Sequence, residues 1–504
     1  MKKIIALSQI ITRQKANQIQ IVTESNNTIL GKFYKGVSEG KINTLDEAAK
    51  YLYRKKMDRV HMQKLKDNLY NRLINTVFFI DMRQSNYTDY QRAFHSINKL
   101  YAAYVLLCNK ALDKDAIIDI GEGLLKKAQQ YDFSEIVIGV GTILSSTYAL
   151  KGKLKKVQAL RDIIDYNLEA QRLEILSRGY FDTLTVEYTI NRAASKALSE
   201  KSFKYYKTLK PHFTKYPTFQ FAHYVFAFEM FAYGFINDYK QVMKVCNKAI
   251  EFFEQKGKGY NLARTFYQHK FECCIFFGLF TEGMALQPKI QAFLVEGNHN
   301  WFKNQELLMK LCFHSEQYEE AYIVFRETTG HPKFKKLLGN YQEFWKVCEV
   351  YIYVCVSLEL IRNLSAEEQR KRFRLSTFVN SVPSFSFDKR GMNIPIIIAQ
   401  ILYFLAKKDF ESVVDRIGSV EQYCVRHLVD KHFDVRSYYF IKMLLTLPDA
   451  EYNMKRVETR SQGFKEKFEA AAANAKNIEL EIMPYETIWG LLMNLIDSDL
   501  KRRK

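Results

Sequence analysis

The sequence predicts an all-α chain built from repeated helical hairpins. Three observations carry that prediction. Proline and glycine are scarce, 8 and 21 in 504 residues, against usual shares of roughly 5% and 7%. Such sparse punctuation suits long helices better than many short strands. Apolar residues recur at three- and four-residue steps over long windows, as one buried helical face requires. One local pattern also returns along the chain: an apolar helix, two or three polar residues, an aromatic residue, then a second amphipathic helix. Its clearest copies are L-L-M-K-L-C-F-H-S-E-Q-Y-E-E-A-Y around Tyr318 and I-L-Y-F-L-A-K-K-D-F-E-S-V-V around Phe410.

The elements follow in order. Residues 1–75 hold 15 Lys+Arg against 6 Asp+Glu. Within them T-L-D-E-A-A-K-Y-L starts with a helix cap at Thr44 and acids in the first turn. A basic segment with Leu65, Leu69 and Leu73 follows. Asp89 to Lys110 spaces Phe94, Ile97, Leu100, Tyr101, Tyr104 and Leu107 as one buried stripe. Phe219 to Ile236 is apolar almost all round, so it belongs between neighbours. Tyr239 to Gln255 carries Val242, Val245, Cys246, Ala249, Ile250 and Phe253 on one face. Glu451 to Asn477 reads as an exposed helix, Ile478 to Met483 as a short extended segment, and Tyr485 to Ile496 as a final capping helix. The predicted division is a basic helical cap over 1–85, a repeat array over 86–450, and a C-terminal helical cap with a basic tail over 451–504.

The first apolar residue after each polar break marks the repeat. The series is Leu112, Leu154, Phe203, Tyr239, Phe280, Tyr318, Leu364 and Phe410. Around Tyr239, Tyr233 lies six residues earlier and Ala249 ten later; after Tyr318 come Ala321 and Phe325. A small residue lets two helices cross closely while a ring fills the adjacent groove. These offsets resemble the tetratricopeptide repeat over roughly Tyr87 to Leu447, in a degenerate form longer than the roughly 34-residue standard unit. The stretches F-R-L-S-T-F-V-N-S-V-P, D-K-R-G-M-N-I and I-K-M-L-L-T-L-P resemble an uncharacterised helical-repeat family associated with Bacteroidota. The resemblance implies a right-handed superhelical α-solenoid with helical caps and a bacterial cytoplasm. It implies no catalytic residue.

Formal net charge is +20, from 75 Lys+Arg and 55 Asp+Glu, which favours anionic partners. The eight cysteines lie in apolar helical stretches without a C-x-x-C pair; they read as reduced, buried thiols of a cytoplasmic protein. The start of the chain lacks a secretory cleavage pattern. No run of about 18 uncharged apolar residues predicts a membrane span.

Candidate chemistry is thin. The pairs Gly121/Gly123, Gly139/Gly141 and Gly257/Gly259 lack the rest of a phosphate loop. Cys424 with His427 and His432, and His299 with Cys312 and His314, fall short of four zinc ligands. No nucleophile elbow occurs. No catalytic, cofactor or metal residue is assigned.

The basic clusters are the functional lead. Lys201, Lys204, Lys207 and Lys210 recur every third residue with Phe203, Tyr206 and Leu209 between them. Lysines there would neutralise phosphates and the aromatics, where exposed, would stack on bases, although a solvated helix over a core stripe gives the same spacing and is the simpler reading. Arg370, Arg372 and Arg374 form a second cluster suited to bidentate grip. Arg54, Lys55, Lys56 and Arg59 follow the capped helix, which resembles the first helix of a DNA-reading helix-turn-helix, although its turn lacks glycine. The expected function is non-catalytic binding of a protein or peptide partner of acidic character by the array. The alternative is a nucleic-acid-binding regulator whose basic N-terminal helices touch the nucleic acid while the array senses a partner.

Overall fold

The computed structural model describes residues 28–55, 57–83, 87–109, 113–190, 195–257, 260–337, 339–362, 393–423, 435–471, 478 and 481–502. Among these residues every regular element is helical: twenty α-helices and one 3-10 turn, Phe334–Lys336. Consecutive helices pack on their sequence neighbours, the arrangement of an α-solenoid. None of the described helices is long and apolar enough to cross a membrane. The chain divides into two compact units, Met1–Ile175 and Leu176–Lys504.

The first unit opens with a trihelical group, α1 (Ile29–Ser38), α2 (Leu45–Tyr53) and α3 (Arg59–Val77). Local sequence sets each entry. Thr28 accepts from the Gly31 N–H at 3.1 Å. Thr44 and Glu47 form a reciprocal capping box, which satisfies two otherwise orphaned donors. Phe33, Ile42, Ala48, Ala49, Met62 and Leu69 make the shared core. A second core joins α4 (Asp89–Cys108), α5 (Lys114–Gln130), α6 (Ser134–Ala149) and the first part of α7 (Leu154–Ile190). Close approach there depends on glycine. A Cβ at Gly121 would lie 2.5 Å from the Tyr104 hydroxyl and 2.8 Å from Leu144.

The second unit takes the rest of α7 and thirteen further helices among the described residues. These are α8 (Ser195–Phe213), α9 (Phe219–Gly234), α10 (Tyr239–Lys256), α11 (Tyr260–Phe277), α12 (Phe280–Gln291), α13 (His299–His314) and α14 (Tyr318–Gly330). They continue as α15 (Gly339–Ser357), α16 (Asn393–Lys407), α17 (Phe410–Tyr423), α18 (Val435–Asp449), α19 (Met454–Ala470) and α20 (Tyr485–Arg502). One apolar core runs through the unit. Ala249 and Ala321, the small residues of the repeat, are fully buried within it.

The recurring knuckle is a backbone device. At Asp132, Gly152, Asn237, Gly278, Glu316, Glu359, Lys408 and Glu451 the chain turns left-handed. In each case the next N–H donates to the carbonyl five residues back, at 2.8–3.1 Å. This closes the C-terminus of one helix in the Schellman manner and aims the chain into the next. In the second unit these turns fall 41, 38, 43, 49 and 43 residues apart. Two of the eight turn residues are glycine, although a side chain in this conformation costs about 1–2 kcal/mol. Glu316→Val is therefore expected to lower stability, because a β-branch is poorly tolerated in this conformation, and Glu316→Gly to raise it by up to about 1 kcal/mol. Urea unfolding of both variants checks the pair; equal effects would disprove the strain.

Leu154, Tyr239, Phe280, Tyr318 and Phe410 each begin a helix two residues after such a turn. Two of them make ring contacts: Tyr239 stacks on Phe276 and Phe410 packs on Tyr452, each with centroids 4.4 Å apart. Phe203 is a correction. It lies inside α8, not at a helix start. The polar residue before it, Ser202, is buried and donates to the Phe228 carbonyl at 2.8 Å. Leu112 and Leu364 lie outside the described residues.

Candidate ligand-binding surfaces

In the first unit the turn from α2 to α3 gathers basic side chains. The chain leaves α2 through Arg54, whose φ of 56° closes the helix by donating to the Lys50 carbonyl at 2.9 Å. Arginine thus occupies the left-handed position where glycine was missed in the sequence. Asp58 then caps α3 by accepting from the His61 N–H at 3.2 Å. The Tyr53 hydroxyl meets His61 Nε2 at 3.2 Å and pins the two helices together. Arg54, Lys55 and Arg59 are exposed around this joint. Lys64 and Lys66 are exposed further along α3. Lys56 lies outside the described residues.

In the second unit α8 carries the lysine series. Lys201 is committed internally: it bonds Glu187, which raises its pKa, and lies over the Tyr205 ring. Lys204, Lys207 and Lys210 are exposed. Lys207 lies 4.5 Å over the Phe203 ring and Lys210 lies 5.0 Å over Tyr206. Hydrogen bonding to Tyr206 raises the Lys210 pKa. A shallow depression of about 380 Å³ between them is lined by Glu200, Phe203, Lys204, Lys207 and Thr208. Tyr206 and Leu209 are core residues and Phe203 is half-buried. The aromatics therefore back the lysines and leave little ring surface for base stacking. Arg370, Arg372 and Arg374 lie outside the described residues.

A polar set that the sequence reading missed lies on α9, α11, α13 and α15. Burial pushes the His223 imidazole down to about 4. Burial also opposes charge on His269, yet the Glu272 carboxylate 2.8 Å away carries its pKa above the usual value. Glu272 is held below the usual carboxylate range; burial opposes this and the His269 imidazole outweighs it. Burial raises Glu349 on α15. On α13, Lys310 donates to the Ile478 carbonyl and His314 Nε2 to the Glu481 carbonyl, both at 2.7 Å. These two side chains, one helical turn apart, hold the C-terminal segment against the array. Glu481 itself is fully buried and paired with Arg436 of α18 at 2.9 Å.

Cys424, His427 and His432 lie outside the described residues, and the other residues weighed as metal ligands have other partners or surroundings. His299 bonds Tyr341, Cys312 is buried and His314 holds the Glu481 carbonyl. Among the described residues no three His, Cys, Asp or Glu side chains gather to hold a metal ion. Cys246, Cys273, Cys274, Cys312, Cys348 and Cys355 are buried free thiols. Burial lifts Cys274 to about 11 and Cys312 and Cys355 to about 12, which suppresses the reactive thiolate. No family model, curated protein or solved structure matches the chain.

Proposed function

We propose that the protein is a non-catalytic binding protein whose helical array holds an acidic protein or peptide partner on the solvent face of α8. One observation carries the reading. Lys204, Lys207 and Lys210 succeed one another on a single exposed stripe, and among the described residues no ion pair engages them. Lys201 on the same helix is instead spent on Glu187, as Lys303 on α13 is on Glu306. Successive lysines rise about 4.5 Å and rotate about 60° around the helix, so the three charges form a short oblique row. The rings of Phe203 and Tyr206 lie beneath two of them and favour the ammonium heads from below. A row of compact, strongly hydrated ammonium groups suits carboxylates presented in series.

The test is fluorescence anisotropy of a labelled oligoglutamate peptide with the full chain. Lys204→Glu/Lys207→Glu/Lys210→Glu is expected to weaken binding more than tenfold, with unchanged helicity by circular dichroism. Binding at wild-type strength by this variant would refute the assignment.

A further inference from the structure

We infer that the trihelical group over 29–77 is a second, separate binding site, and that it takes duplex DNA with α3 in the major groove. The argument starts from what holds α3 in place. Met62 and Leu69 are its buried residues, and Leu65 and Leu73 pack beside them. These four define one narrow stripe facing α1 and α2. The opposite face presents Val60, Lys64, Asp67 and Asn71, with Gln63 beside them, all exposed. Val60 at the start of the helix is 62% exposed. A 19-residue helix is about 28 Å long, and the major groove is about 12 Å wide, enough to admit it.

The charges lie where a duplex backbone would pass. Arg54 and Lys55 leave the turn before α3, and Arg59 opens the helix. Lys64 and Lys66 continue along it. Among the described residues no ion pair engages any of these five; the ion pairs of this group are Lys35 and Lys41 with Glu39. The joint is also preset. The left-handed Arg54, the Asp58 cap and the Tyr53–His61 hydrogen bond hold α2 and α3 together, which confines the ordering cost of binding to the side chains. Phosphate contacts from the turn would position α3, while Val60 can meet a thymine methyl and Lys64 can reach base edges; Gln63 would first have to leave Asp67, to which its amide donates at 3.0 Å. The deep, narrow major groove of duplex RNA does not admit such a helix, which separates the two nucleic acids.

The experiment uses the full chain and a labelled mixed-sequence DNA duplex, titrated at several salt concentrations. Wild type is expected to bind with affinity that falls steeply with salt. Arg54→Glu/Lys55→Glu/Arg59→Glu is expected to weaken binding at least tenfold. Its salt slope should be shallower by about 0.9 per lost phosphate contact. All three side chains are exposed and outside the core, so circular dichroism should be unchanged. The variant Lys204→Glu/Lys207→Glu/Lys210→Glu should bind DNA as wild type does, which keeps this site distinct from the one on α8. Absence of duplex binding by wild type at low salt would overturn the inference. So would an unaffected turn variant, or equal affinity for duplex RNA.

Discussion

Glu481→Leu is expected to lower the unfolding free energy by about 3–5 kcal/mol. Glu481 is fully buried and Arg436 nearly so. The guanidinium meets Glu481 through Nε at 2.9 Å and reaches Glu486 through an NH2 group at 2.8 Å. It also lies 4.3 Å over the Phe468 ring. Glu481 in turn accepts from the Tyr485 N–H at 3.3 Å. Removing its carboxylate leaves a buried cation that still faces the half-exposed Glu486. The effect therefore falls toward the lower end of the range. The double variant Arg436→Met/Glu481→Leu removes both charges and should recover most of the loss, because apolar isosteres of buried pairs are close to neutral. Urea unfolding of both variants decides the matter. A double variant as unstable as the single one would show that the loss comes from packing and not from charge.

Trp345→Ala is expected to cost about 3–5 kcal/mol through the cavity it leaves. The indole on α15 is buried against Phe325, Phe334 and Phe344, with centroids 6.4, 6.4 and 5.3 Å away. It joins α14, the following 3-10 turn and α15, so the loss falls on a hairpin junction. Its Nε1 is buried without a hydrogen bond. Trp345→Phe should therefore cost less than about 1.5 kcal/mol, since it keeps an aromatic and removes an unpaired polar group. Denaturant unfolding distinguishes the two. Equal losses would place the cost on the indole N–H instead of on volume.

The hairpin architecture was legible because each knuckle couples a polar break to a ring that must be buried. That coupling is visible at Tyr239, Tyr318 and Phe410. It failed at Phe203, where Ser202 looked like part of a break. A serine can be polar in sequence and core in space when its hydroxyl finds a carbonyl on a neighbouring helix, as Ser202 does at Phe228. The capped helix at Thr44 was legible for a similar local reason, since both partners of its capping box lie within four residues. The exposure of Lys204, Lys207 and Lys210 followed from helical spacing. The diversion of Lys201 did not, because Glu187 lies on the preceding helix. The burial of Glu481 was hidden in the same way. The alternation of apolar and acidic residues read only as a short extended segment, and Arg436, which pairs with Glu481, lies 45 residues earlier.

The repeated turn has a consequence for how such a chain can change over time. What recurs at Asn237, Gly278, Glu316, Glu359, Lys408 and Glu451 is a backbone conformation, held by main-chain hydrogen bonds and adopted by four different residue types. Every joint therefore accepts the same incoming hairpin. A duplication or deletion cut at two such joints restores identical ends, so descendants of this gene could gain or lose whole hairpins while their residues drift apart.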